Sequence, residues 1–309
     1  MYYTQSGRYS PGGLLMGAAI GIAGSAILAF AYGRGLILIS DAHFAAFTTI
    51  AFGAAVGAAC GYGSILGNVR NNRAAIAVST FVAVFALYLS WAVWVAATLQ
   101  SEPFVSDASW SDLALHPDAL WRAICMINQY GTWGLGDDAK VAATHGTELW
   151  AIWIAEAATI IGVAPSVGSY VLRLRPFCEA CECWAERGAR FQRATPANLA
   201  QMKRHLESKD LEPLTQLAMA NKENDLSIAL NSCPRCRLFH TLSITHTVVT
   251  RRKWRRPIMN RKEIMRHLIV RPEHAETIRL LSAGGTSASR NGVPGIDSAK
   301  VTSAAVGKK

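Results

Sequence analysis

Long uncharged, mostly apolar runs alternate with short polar breaks through the first half of the chain, and this pattern stops after Leu172. The first run extends from Tyr9 to Gly33, with its apolar body starting at Leu14. The second covers 43–66 and the third 74–99, and neither contains Asp, Glu, Lys or Arg. A fourth covers 148–172. About 20 apolar residues cross the hydrocarbon core of a bilayer as a helix. The pattern therefore predicts four transmembrane helices, near 14–33, 43–66, 74–99 and 148–172. In water, helices apolar on every side would have to bury their whole perimeter. The interval 100–147 is polar. Within it Leu113, Leu120, Ile124 and Ile127 recur at helical spacing, which predicts an amphipathic helix over 111–128. Gly131 to Gly136 is expected to break regular structure. Trp150 and Trp153 suit the aromatic belt at a membrane interface.

Beyond Leu172 the pattern is that of a small α+β domain. Thr195-Pro196 reads as an N-cap followed by proline at the first helical position, starting a helix to about Ser208. Asp210 would cap a second helix through Ala220. Over Thr241–Thr250, Leu242, Ile244, His246 and Val248 alternate with Thr and Ser, the period-two signature of a strand. A further short strand is expected at 267–270 and a closing helix at 273–282. From Gly284 onward Gly, Ser, Ala and Lys dominate, which predicts a disordered tail. The expected organisation is a transmembrane domain over 1–172, a cytosolic domain over 173–283, and a tail over 284–309.

Charge sharpens this division and orients it. Of 31 Lys and Arg, six lie in the first 172 residues, against nine of the 21 Asp and Glu. The net +10 is therefore −3 from residues 1–172 and +13 from the remainder. Basic residues near membrane spans favour the cytoplasmic side. Arg173 and Arg175 put the basic second half there. With four spans the amino terminus is then also inside, as is the short loop carrying Arg70 and Arg73. The 100–147 loop, with two basic and six acidic residues, is outside. The first apolar run has no strongly basic leader and is too long for a signal peptide, so it is expected to remain as an anchor.

Seven cysteines bring in the candidate chemistry. Four form two hooks, Cys178-Glu-Ala-Cys181 and Cys233-Pro-Arg-Cys236. Two thiols spaced this way can grip one ion from a tight turn. Two such pairs supply the tetrahedral four-thiolate set of a structural Zn2+. The 51 residues between Cys181 and Cys233 exceed common finger spacing. The expectation is a zinc-ribbon-like domain with a helical insertion between its hooks. Cys183 and His240 are candidate substitute ligands. The other reading is a redox pair, but such pairs usually open a helix in a thioredoxin-like βαβ unit, and no such unit is evident.

Three further features carry candidate roles. Glu156 lies inside the fourth apolar run, where a carboxylate is costly without a partner. Such acids mark ion or proton pathways, or are bonded to neighbouring Trp, Tyr or Ser. Gly53, Gly57 and Gly61, like Gly17 and Gly21, recur every four residues and let helix backbones approach closely. Packing within one bundle is the first use of that face, and a homo-oligomer through Gly53, Gly57 and Gly61 is the second. Arg251, Arg252, Lys253, Trp254, Arg255 and Arg256 form a basic cluster suited to anionic lipid or, less directly, to nucleic acid. No Walker loop, dinucleotide glycine fingerprint, HExxH or GxSxG is present.

Tyr9-Ser10-Pro11, the stretch Trp150-Ala-Ile-Trp-Ile-Ala-Glu156, the stretch Arg175-Pro-Phe-Cys-Glu-Ala-Cys-Glu-Cys-Trp184 and Cys233-Pro-Arg-Cys236 occur together here. In these the chain resembles a group of bacterial four-span integral membrane proteins with a cytosolic domain carrying two Cys-x-x-Cys hooks. The resemblance covers most of residues 9–282. It implies the same architecture and a bacterial inner-membrane location, and it carries no activity. The leading expectation is a scaffold or regulatory adaptor that meets a cytosolic protein partner, and not an enzyme. The alternatives are a transporter or membrane enzyme using Glu156, and a membrane-tethered nucleic-acid binder using the 251–256 cluster.

Overall fold

Ser10 starts the first long helix. Its Oγ accepts from the Gly13 amide at 3.0 Å, and Pro11 takes the first helical position, where its missing N–H costs nothing. The computed structural model describes residues 1–39, 42–100, 109–131, 144–218, 224–250 and 258–290. The described residues form two compact units, one of Thr4–Ala185 and one of Met1–Tyr3 with the chain from Glu186 onward.

The first unit is helical. Helix α1 is Pro11–Gly35, followed by a tight turn at Leu36–Leu38. Helix α2 is Ala42–Leu66 and α3 is Asn72–Gln100, where Asn71 Oδ1 accepts from the Ala74 amide at 3.0 Å. Helices α4 (Trp110–Leu115) and α5 (Pro117–Tyr130) precede α6 (Gly146–Arg173). Helices α1, α2, α3 and α6 are the four that are long and apolar enough to cross a membrane.

The exposed surface of this unit is rich in large apolar side chains, and several hydroxyls are buried within its apolar core. Leu15, Ile27, Phe44, Phe47, Phe81 and Ile154 are exposed, whereas Ser25, Thr49, Ser64, Ser79 and Ser90 are buried. Exposed apolar patches larger than a few hundred Å² are uncommon on monomeric soluble proteins and mark surfaces that meet a partner or a membrane. The interior is built on small residues. A Cβ added to Gly57 would lie 2.2 Å from the Ala164 carbonyl oxygen of α6, and one on Gly61 would lie 2.8 Å from Val171. Gly53 faces Ile160 of the same helix. The ridge of α2 thus packs on α6 of its own chain. A Cβ added to Gly63 would likewise lie 2.6 Å from the Gly17 carbonyl oxygen of α1. Lost side-chain area is replaced by backbone-to-backbone dispersion, the means by which helices associate where no water drives them together.

The amphipathic segment differs from the expected single helix. Pro117 disfavours helical backbone at the residue before it. His116 has φ −119° and ψ 80°, so α4 and α5 are separate. The apolar stripe survives the break. Leu120, Ile124 and Ile127 are buried against Ala92 and Val95 of α3 and against Leu149 and Trp153 of α6.

The second unit is a four-stranded antiparallel meander covered by helices. Its strands are β3 (Glu186–Ala194), β4 (Asn224–Ser232), β5 (His240–Thr250) and β6 (Ile258–Val270), in that order across the sheet. The hairpin of β1 (Phe177–Cys178) and β2 (Cys183–Trp184) belongs to the helical unit. Helices α7 (Leu199–Glu207) and α8 (Glu212–Thr215) join β3 to β4, and α9 (Pro272–Arg290) follows β6. Leu226, Ile228 and Leu230 of β4 stand opposite His246, Ile244 and Leu242 of β5. The five apolar residues among these form the core with Met202, Leu206 and Ile278, and His246 is half-buried at its edge. Beyond β6 the chain start adds a short strip, in which the Ile269 amide donates to Met1 O at 3.0 Å and the Tyr3 amide to His267 O at 2.9 Å.

Several expectations are corrected here. The helix placed at Thr195 starts at Leu199. Asn198 is its cap, with Oδ1 accepting from the Gln201 amide at 2.9 Å, so the better-placed side-chain acceptor wins over Thr195-Pro196. Asp210 does accept from the Glu212 amide at 2.9 Å, but the helix it starts ends at Thr215. The segment between the hooks contains strands β3 and β4 as well as helices. Strand β6 is far longer than 267–270. Helix α9 passes through Gly284, where the tail was expected to begin, and reaches Arg290. Glycine weakens a helix by about 1 kcal/mol without forbidding it.

Gly57→Val should collapse the bundle packing, since no side chain can occupy a space 2.2 Å from a carbonyl oxygen without backbone movement. Overpacking of this kind costs about 1–3 kcal/mol or more. Thermal size-exclusion chromatography in detergent should show a large loss of folded protein. Gly162→Ala, with nothing within 4 Å of the new methyl, should match or exceed the parent.

Candidate metal centre

The first cysteine hook is a two-stranded hairpin, with β1 at Phe177–Cys178 and β2 at Cys183–Trp184. Phe177 pairs with Trp184 and Cys178 with Cys183, and the Ala185 amide donates to Pro176 O at 2.8 Å. Glu182 takes a left-handed φ of 50°, which closes so short a turn. Strands of two residues do not hold themselves, and the side chains around this hairpin supply what the ladder cannot. Trp184 Nε1 donates to Ile65 O at 2.7 Å, at the end of α2. Its ring meets Phe177 edge to face at 5.0 Å. The Arg70 guanidinium lies 4.6 Å from the Phe177 ring and donates to Glu179 Oε2 at 2.6 Å.

The second hook is the turn between β4 and β5. The Cys233 amide donates to Phe239 O at 2.9 Å and the Arg237 amide to Cys233 O at 3.3 Å. Arg237 has φ 55°, and the Leu238 amide donates to Cys236 Sγ at 3.4 Å. A backbone amide pointing at sulfur stabilises its anionic form. Both hooks are therefore turns that present two sulfurs, and neither opens a helix as a redox pair would.

The sulfurs of Cys178, Cys181, Cys233 and Cys236 all lie within 4.8 Å of one another. Cys178 and Cys233 are buried and the other two half-buried. Metal–sulfur bonds of about 2.3 Å in a tetrahedron place sulfurs roughly 3.8 Å apart. The cluster has the size and ligand type to hold one metal ion. The group includes neither Cys183, which lies opposite Cys178 in the hairpin, nor His240. His240 is buried, with Nδ1 2.8 Å from Ser232 Oγ. Burial holds its pKa below the usual histidine range, and the nearby Arg279 charge acts in the same direction.

The remaining candidates fall elsewhere. Glu156 Oε1 accepts from the Tyr32 hydroxyl at 2.6 Å, and that hydroxyl is 2.8 Å from Thr49 Oγ1. The basic cluster of residues 251–256 lies outside the described residues. Sequence reasoning missed Arg70, Trp184 and Tyr32. Each acts through a contact with a distant segment, and no local spacing announces it.

No protein-family model matches the chain, and neither the curated proteins nor the solved structures yield a match. The resemblance to bacterial four-span proteins gains nothing from those comparisons, and the site is read from its geometry.

The full chain purified without chelators should carry one metal ion, measured by inductively coupled plasma mass spectrometry. Cys233→Ser with Cys236→Ser should carry none. Acidification should release the ion, because protons compete for thiolates. Retention of metal by the double variant would contradict the assignment.

Proposed function

We propose that this chain is an integral membrane protein with a structural Zn2+, acting as a scaffold or regulatory adaptor through its sheet unit. The observation that carries this reading is the set of four thiols of matching reach. Four protein ligands leave no coordination position for a substrate, so the ion serves folding. Membrane insertion is supported by the apolar exterior of α1, α2, α3 and α6. A cytoplasmic location for both termini is supported by Arg70, Arg73, Arg173 and Arg175 near the span ends. The sheet offers a polar face opposite its core. Alternation along β5 turns Ser243, Thr245 and Thr247 away from Leu242 and Ile244. Exposed Arg190, Gln192, Arg261 and Glu263 belong to the flanking strands. Such a surface suits a protein partner.

The second reading, a transporter or membrane enzyme using Glu156, is favoured by the hydrogen bond that ties this carboxylate to Tyr32 of a different helix. The two readings separate in one experiment. A photo-crosslinking residue at Thr247 of the full chain, in native membranes, should capture a discrete partner. Arg190→Glu with Thr245→Glu should abolish capture with metal content unchanged, and Glu156→Gln should leave capture intact. Absence of any captured species, together with a phenotype lost in Glu156→Gln at normal expression, would favour the second reading.

A further inference from the structure

The helical unit encloses a cavity of about 320 Å³ among α1, α2, α3 and α6. Its wall is mainly apolar, and its polar groups converge on one place. Glu156 lies there with Tyr32 and Thr49, and Ser90 and Thr159 also line the space. Among the described residues Tyr32 is the only hydrogen-bond donor to Glu156, and no Lys, Arg or His pairs with it. The rest of the wall includes Trp91, Trp94 and Trp153. These three rings touch one another edge to face, at centroid distances of 5.5, 5.0 and 5.9 Å. Ile50 and Ala155 at the rim are exposed on the apolar exterior of the bundle.

We propose that this cavity binds a small lipophilic organic monocation, such as a substituted ammonium, held by the Glu156 carboxylate and the tryptophan faces. This inference goes beyond the adaptor reading and does not rest on it.

Charge complementarity selects the occupant. A carboxylate in a low-dielectric wall calls for a positive partner. An inorganic divalent ion would need six or more oxygen ligands around it, and among the described residues only the Tyr32 hydroxyl stands within hydrogen-bond distance of the single carboxylate. An anion is repelled. A neutral lipid chain would fill the apolar wall but make no use of Glu156. An ammonium with apolar substituents satisfies both parts of the wall. Its charge meets the carboxylate, and its substituents meet indole faces that attract cations when water is excluded. The volume suits a small ligand, and the exposed rim lets it enter from the side of the bundle.

The test uses the full chain in phosphatidylcholine nanodiscs and isothermal titration calorimetry. The probes are benzyltrimethylammonium and its neutral carbon isostere, neopentylbenzene. Saturable binding of one cation per chain is expected, with the isostere and Glu156→Gln each weaker by about tenfold or more. Trp153→Leu should weaken the cation more than the isostere. Equal affinity of the wild-type chain for cation and isostere would overturn the proposal, and this comparison needs no variant to fold. So would unchanged cation binding by Glu156→Gln, or no saturable cation binding.

Discussion

Four sulfur atoms that all lie within 4.8 Å of one another cannot all be ionised unless a cation sits among them. Two unit charges about 4 Å apart repel by about 4 kcal/mol at an effective dielectric of ~20, and four sulfurs make six such pairs. A metal ion turns that repulsion into four bonds. The surrounding structure shows how much is arranged around this point. Both hooks turn through left-handed residues, Glu182 and Arg237, that carry side chains. The first hairpin has only two residues per strand and is braced by Trp184 and Arg70. The second is continuous with the unbroken β4–β5 antiparallel ladder of the sheet.

The helical unit answers a different constraint. Large apolar side chains are exposed on it, and its apolar interior also takes in serines, threonines and glycines. Four of its helices are long and apolar enough to cross a membrane, and between helices in lipid, hydrophobic burial would supply little of the holding force. Close backbone approach takes its place, at Gly57 on Ala164 and at Gly63 on Gly17. A cavity lined by polar and aromatic side chains lies at Glu156, where Tyr32 stacks on Phe52 at 4.3 Å and holds the carboxylate in place.

How much of this was legible depended on how local its cause is. Four apolar runs needed only hydropathy, and strand β5 needed only the alternation of Leu242, Ile244 and His246. The cysteine hooks were visible as spacing, and the 51-residue gap between them did not hide that they converge. Strand β3 was not legible. It is an edge strand of Glu186-Arg-Gly-Ala-Arg-Phe-Gln-Arg-Ala, bulged between Arg187 and Arg190, with little apolar signal. Strand β4 did carry an alternation at Leu226, Ile228 and Leu230, and was overlooked beside the helix signals at Thr195 and Asp210. The break at His116 was written in Pro117 but masked by an unbroken apolar stripe. The partners of Glu156 and of the first hairpin lie 124 and 119 residues away in sequence, at Tyr32 and Ile65. Only the folded chain brings them together.

The central claim is that Cys178, Cys181, Cys233 and Cys236 hold one ion by sulfur alone. X-ray absorption at the metal edge of the purified full chain addresses it directly. The account predicts a first shell of four sulfurs at about 2.3 Å, with no nitrogen or oxygen scatterer. A shell containing a histidine nitrogen, or only two sulfurs with oxygen from water, would contradict it.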